Sequence, residues 1–206
     1  MQTLDAPIST PQTDGVSTIY GLTWEDFQEF EARLNRSGNR VKLFYLHGVL
    51  EIVSPIGQEH EAVKRTLNLL LEAYMRERGI RFYASGGFTI AATGTASGIP
   101  DDSYCIDSLK PIPDIVIEVI ITSGSIDKRE VYRPHGVPEV WFWTKGKLIV
   151  YQLQVGSYRQ VDRSQFYPDL DLQQLIPFLS YSDQFDAIRD FTAQLRRRSG
   201  NGSDGE

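Results

Sequence analysis

The chain of 206 residues has one cysteine, Cys105, so it can form no intramolecular disulfide, and the apolar run Tyr104-Cys105-Ile106 predicts a buried, reduced thiol. Cations are scarce. Twenty-one Lys and Arg against 27 Asp and Glu leave a net charge of −6, a field that repels nucleic acid and anionic membrane, so any phosphate site has to be local. No run of about 18 uninterrupted apolar residues occurs, which excludes a hydrophobic membrane-crossing helix. Met1 to Tyr20 has neither a basic start nor an apolar stretch of signal-peptide length, and this points to the cytoplasm. No internal repeat is visible.

What is present suffices for one core. With 41% hydrophobic and 11% aromatic residues, a chain of this length buries roughly 70% of its unfolded surface without staples. Residues 1–22, rich in Ser, Thr, Pro and Gly, read as a loose N-terminal arm; residues 23–195 read as a single domain; residues 196–206 read as a solvated polar tail.

The domain opens with Thr23-Trp24-Glu25-Asp26, a capping-box-like start that predicts a helix to about Asn35. Val41–Leu46 and Val49–Val53 read as a hairpin around His47-Gly48, and Pro55 and Gly57 break the second strand. From Gln58 the apolar positions Val63, Leu67, Leu70, Leu71, Tyr74 and Met75 recur at three and four, so a long helix runs to Gly79. Ile80 to Ala92, split by Gly86-Gly87, reads as a second hairpin, and Thr93 to Gly98 as a small-residue loop. Strands follow at 101–107 and 113–122, a short helix at 125–135, and strands at 140–143, 147–153 and 157–161, the first two of these joined at Lys145-Gly146. Helices at 172–179 and 183–197 complete the chain. The order predicts a mixed α/β (α+β) fold with a largely buried central sheet flanked by helices.

One strand carries an anomaly. In Pro113-Asp-Ile-Val-Ile-Glu-Val-Ile120 both faces are apolar except for Asp114 at the start and Glu118 in the middle. A carboxylate there costs several kcal/mol unless a cation, a donor network or a metal offsets it. Lys128 comes ten residues later at the start of the next helix, and Asp101 begins the preceding strand. Two carboxylates on neighbouring strands beside a lysine suit Mg²⁺ and phosphate chemistry. Spacing alone favours a buried Glu118–Lys128 ion pair tying strand to helix.

Ile99-Pro-Asp101, Pro113-Asp-Ile-Val-Ile-Glu118-Val, Ile126-Asp-Lys128-Arg-Glu-Val-Tyr132 and Gly136-Val-Pro-Glu-Val-Trp141 together resemble the Uma-type family of restriction-like endonucleases, within the PD-(D/E)xK nuclease superfamily. Gly48-Val-Leu-Glu-Ile-Val-Ser-Pro55 followed by His60-Glu61 is similar to that family as well, so the resemblance spans about Thr23 to Leu179. It implies a restriction-endonuclease-like core around a four-stranded mixed sheet. It also implies a Mg²⁺-dependent endonuclease acting on DNA, with Mn²⁺ as a substitute, and a homodimer. By the resemblance Asp101 and Glu118 are metal ligands and catalytic acids. The superfamily lysine stands two residues after the Glu, where this chain has Ile120, so the lysine role passes to Lys128.

Glu61, His60 and Tyr132 are auxiliary candidates: an extra acid facing the metal, a phosphate contact, and a packing or substrate contact four residues after Lys128. Each has a plainer alternative, as a dipole-stabilising surface acid, a helix-cap histidine and a core residue. Trp141 and Trp143 share a strand face and read as core or dimer contact, Asp169 and Asp171 as caps, and Arg196–Arg198 as a helix end. His47 and His135 receive no role. DNA binding would rest on Lys64-Arg65, Arg76, Arg78, Arg81, Lys128-Arg129 and Arg133. The alternatives to a nuclease are a degenerate nuclease fold serving as a binding or assembly module, and a carboxylate-pair glycosidase.

Overall fold

The computed structural model describes residues 15–37, 41–53, 57–122 and 124–200, so the predicted break at Pro55 lies outside the described residues, as do 1–14 and 201–206. The elements are β1 (Val16–Tyr20), α1 (Trp24–Ser37), β2 (Lys42–Leu46), β3 (Val49–Val53), α2 (Gln58–Glu77), β4 (Phe82–Ala84), β5 (Ile90–Ala92) and β6 (Ala96–Gly98), followed by β7 (Asp102–Ile106), β8 (Ile115–Ile120), α3 (Lys128–Tyr132), β9 (Glu139–Thr144), β10 (Lys147–Gln154), β11 (Ser157–Val161), α4 (Ile176–Leu179) and α5 (Gln184–Gly200). They form a five-stranded sheet in the order β1-β3-β2-β6-β5 and a six-stranded sheet in the order β11-β10-β9-β8-β7-β4. The fold is mixed α+β, flanked by helices and consistent with a restriction-endonuclease-like core, its mixed sheet six strands wide where the resemblance implied four. Among the described residues no helix is long and apolar enough to cross a membrane.

The β2–β3 hairpin follows from its turn: His47 and Gly48 take φ of 46° and 86°, the pair of positive values that a two-residue turn needs to match strand twist. In α1, Thr23 Oγ1 accepts from Asp26 N at 3.1 Å while Asp26 Oδ2 accepts from Thr23 N at 3.0 Å, a reciprocal capping box. Alternation then divides β2 and β3 between two layers. Leu43, Tyr45 and Leu50 pack under Phe27 of α1, while Phe44 turns to a second cluster with Val131 and Tyr132 of α3 and Val140 and Phe142 of β9.

The strand read as covered on both faces is so. Ile115, Ile117 and Val119 of β8 join Leu67, Leu71, Trp141 and Phe191 in the main core, and Val116 joins the α3 cluster on the opposite face. Trp141 and Trp143 both belong to that main core, as their shared face predicted. β8 pairs antiparallel with β7 and parallel with β9, which pairs across the Lys145-Gly146 turn with β10. Cys105 is a buried free thiol.

Four expectations need correction. Val16–Tyr20 belongs to the sheet and not to a loose arm: VSTIY is built of β-favouring residues that outweigh its Ser and Thr look, and it pairs antiparallel with β3. The strands either side of Gly86-Gly87 do not pair with each other; β4 joins β7, and β5 joins β6 in the other sheet. Gly86 (φ 68°) and Gly87, where a Cβ would stand 2.6 Å from the Pro100 carbonyl, let the chain cross between sheets. The expected loop at 93–98 contains β6, paired on both sides. Finally, α5 runs to Gly200, past the helix end expected at 197 and into the stretch read as tail.

Candidate active site

Because β8 and β9 run parallel and β8 ends at Ile120, the chain leaves the sheet at their carboxyl ends, where open α/β sheets commonly bind ligands. It returns over β6 and β2 as α3. The result is a cavity of about 280 Å³ lined from both sheets, from His60 in the first turn of α2 and from Asp127, Lys128 and Arg129 at the start of α3.

Asp101 precedes β7, its backbone N–H bonded to Ile117 O at 3.0 Å, which fixes it beside the middle of β8. Its carboxylate is buried and met by three partners: Val119 N–H donates to Oδ2 at 2.7 Å, His60 Nε2 lies 3.1 Å from the same oxygen, and Lys42 Nζ pairs with Oδ1. Burial pushes its acidity down, but the bond to His60 and the charges of Lys42, His60 and Lys128 outweigh that and hold the carboxyl far below the usual carboxylate range.

Glu118 has no solvent exposure. Lys128 Nζ donates to its Oε2 at 2.7 Å and the Tyr132 hydroxyl donates to Oε1. Burial raises its carboxyl above the ordinary value; Lys128 opposes the rise and the charge of Asp101 adds to it. The structure therefore brings Asp101, Glu118 and Lys128 together, and Lys128 is also positioned by the Phe44 ring, whose centroid is 4.1 Å from Nζ. The ion pair that spacing allowed exists, and it lies within the cluster that spacing also allowed.

The auxiliary candidates divide. His60 is no helix cap; it is buried against Asp101, and Gly57 takes the N-cap position of α2 without a side-chain bond. Tyr132 is fully buried and reaches Glu118, so it serves that carboxylate instead of the lysine stem or a substrate. Glu61 lies off the cavity, half exposed and paired with Lys64 at 2.7 Å, which is the plain surface role.

Two cavity residues were missed. Lys42 carries no sequence signal, since a lysine at a strand end is ordinary and its partner lies 59 positions away. Glu51 did carry one: in Val49-Leu-Glu-Ile-Val53 it is a carboxylate between apolar neighbours, the pattern that singled out Glu118. It is buried, and its Oε1 accepts from Ser125 Oγ at 2.9 Å, Ile126 N–H at 2.6 Å and Ser125 N–H, so it clasps the loop that delivers Lys128. Gly124 completes the clasp, because a Cβ there would strike the Glu51 carboxylate.

Among the described residues, no group of three or more His, Cys, Asp and Glu side chains is placed to hold a metal ion. The two carboxylates nevertheless present hard oxygens beside two ammonium groups, an arrangement able to bind a cation or a phosphate. A search of the curated proteins gave no match. A family model, Uma2, described as "Putative restriction endonuclease", matches residues 24–184, from the start of α1 to the start of α5. That span contains Asp101, Glu118 and Lys128 together with both sheets, so the chain belongs to the Uma2 family.

Proposed function

We propose that this nuclease-family protein is a divalent-metal-dependent endonuclease that hydrolyses DNA phosphodiester bonds with Asp101, Glu118 and Lys128. The single observation that carries the reading is that Asp101 and Lys128 line one cavity while Glu118, sealed behind its wall, is joined to Lys128 at 2.7 Å, with Asp101 close enough to act on the charge of both.

The donor set fits Mg²⁺, with Mn²⁺ as a substitute. Mg²⁺ commonly takes only one or two carboxylates, filling its octahedron with water and substrate phosphate. Asp101 Oδ1 and both Glu118 oxygens each receive one protein donor, and a carboxylate oxygen has two lone pairs, so Asp101 and Glu118 would hold the ion without losing their partners. When bound, the ion supplies an activated water and charge neutralisation at the phosphate. The protein's own part is to present Asp101 ionised, to keep Glu118 in place through Tyr132, and to aim the Lys128 ammonium at the charge that builds on the phosphate.

A second reading has its own support. Both oxygens of Glu118 are covered and the residue is sealed from solvent, as a degenerate fold kept for binding or assembly would have them. Calorimetry with Mg²⁺ and with Mn²⁺, run beside supercoiled-plasmid cleavage, separates the two. The endonuclease reading expects metal binding and nicking in the wild type and loss of both in Asp101→Ala. Absence of both in the wild type overturns it in favour of the module. The homodimer implied by resemblance is tested separately by sedimentation.

A further inference from the structure

The cavity wall is mixed. Lys42, Glu51, His60, Asp101 and Lys128 bring its charge, and across β8, β9 and β10 the residues Ile120, Phe142, Ile149 and Tyr151 form an apolar wall, Ile149 paired with Phe142 and Tyr151 edge-on to the Phe142 ring. A phosphodiester and its metal ion would use the charged groups and leave the apolar wall wet. At about 280 Å³ the cavity lies near the ~300 Å³ lower edge of small-ligand sites, so one flat organic group is what it can take. At its mouth the Arg129 guanidinium is held flat, bonded to Asp127 through Nε at 2.9 Å and Nη2 at 2.7 Å, with its carbon 4.5 Å from the centroid of the Tyr151 ring. Guanidinium planes and aromatic rings are the surfaces on which bases stack.

The charge inventory points the same way. Tight binding of duplex DNA draws on clustered cations that release counterions from the backbone. Here Lys42, Lys128 and Arg129 at the site each face an acid of their own chain, and so do Lys64, Arg133, Arg189 and Arg196 elsewhere, in a protein of net charge −6. With the cations at the site already paired to acids of the chain, burying part of the substrate is the source of affinity the cavity itself offers. In a stacked duplex the bases have no face to offer. An unstacked base has one.

We infer that the apolar wall of the cavity receives a nucleobase adjoining the scissile phosphate, so that the substrate is DNA with an unpaired or extruded nucleotide. This rests on the endonuclease reading and names its substrate class. Extruding a base from a paired duplex breaks its pairing and stacking, whereas one in a single strand costs little, so unpaired DNA is preferred.

Fluorescence anisotropy in the presence of chelator, so that nothing is cut, tests this with three labelled probes of equal length: oligodeoxythymidylate, an all-abasic strand of the same charge, and a duplex. The expected result is binding of the oligodeoxythymidylate about tenfold or more tighter than either other probe, the scale set by stacking one base. Ile149→Trp, which fills the cavity, erases the preference; Ile149→Ala keeps it. Equal binding of the thymidylate and abasic strands overturns the inference, and that comparison requires no variant. Cleavage of duplex plasmid without preference for unpaired regions also overturns it while leaving the endonuclease intact. Base-dependent binding without cleavage in Mg²⁺ or Mn²⁺ sustains the pocket and overturns the endonuclease.

Discussion

Glu118 and Glu139 stand on adjacent parallel strands, both without solvent exposure, and the chain satisfies them in opposite ways. Glu139 is met by three neutral donors, Trp141 Nε1 at 2.8 Å, Ser164 Oγ at 2.7 Å and Gln165 N–H at 2.7 Å, which also tie the segment after β11 to the start of β9. Glu118 is met by an ammonium and a phenol, the ammonium on the wall of a cavity that the buried carboxylates Asp101 and Glu51 also line. Burial raises both above the ordinary carboxylate value. A perturbed acid is thus no sign of a site by itself; what differs is the company, charge beside open space in one case and fixed dipoles in a packed joint in the other.

The comparison breaks most visibly in activity. Glu118→Gln keeps an acceptor for Lys128 but loses the charge, and removing an electrostatic group of this kind costs about 10²–10³ in rate. Glu139→Gln leaves the cavity untouched and should keep the wild-type rate of plasmid cleavage. Similar losses from both would show that the fold, not the site, had been damaged, which near-ultraviolet circular dichroism checks independently. Glu51→Gln falls between them. It swaps an anion that accepts from the 125–126 backbone for an amide, loosening the loop that aims Lys128, and misplacement of about 1 Å costs up to ~10²-fold in rate. A fall in kcat with KM nearly constant is the outcome to look for.

Much of the cavity was legible because one strand broke its own pattern. Glu118 stood out where both faces were apolar, and its cation lay ten residues on at a helix start, near enough for spacing to suggest it. Glu51 showed the same break, yet in an alternating hairpin strand a polar position reads as the wet face. Only the loop at 124–126, brought back over the sheet from 74 residues away, turns that face inward. Lys42 was silent for the same reason of distance. The two-sheet division was hidden in short segments: three-residue β4, β5 and β6 carry too few positions for a period, and glycines that looked like a hairpin turn serve as a crossing.

Glu139 gives stability a pH dependence. Glu139→Ala leaves the buried Trp141 and Ser164 donors unpaired, at about 1–3 kcal/mol for each. Glu139→Gln isolates the charge. Desolvation raises the folded carboxyl above its ordinary 4.5, against the bonds from Ser164, Trp141 and Gln165, with the Tyr167 phenol nearby. A raised group contributes stability fully below 4.5 and loses it as pH climbs through the folded value. The advantage of wild type over Glu139→Gln in urea unfolding should therefore shrink as pH rises from 4.5 towards neutrality, and an advantage that grows instead would contradict the assignment of burial as the dominant influence.

The smallest effect sharpens the contrast at two matched caps. Asp127 accepts from Arg129 N–H at 3.0 Å at the start of α3, and Asp171 accepts from Gln173 N–H at 3.1 Å at the start of the single-turn helix Leu172–Gln174. As caps they are near equivalents, so Asp127→Ala and Asp171→Ala should each cost about 1 kcal/mol in urea unfolding. Their consequences diverge because only Asp127 also holds the Arg129 guanidinium at the cavity mouth and adjoins Lys128. Equal losses of stability, accompanied by a several-fold loss of cleavage in Asp127→Ala alone, would locate function at the β8–α3 junction. Cleavage that falls equally in both would mean that activity follows global stability, and the distinction between the two buried acids would lose its meaning.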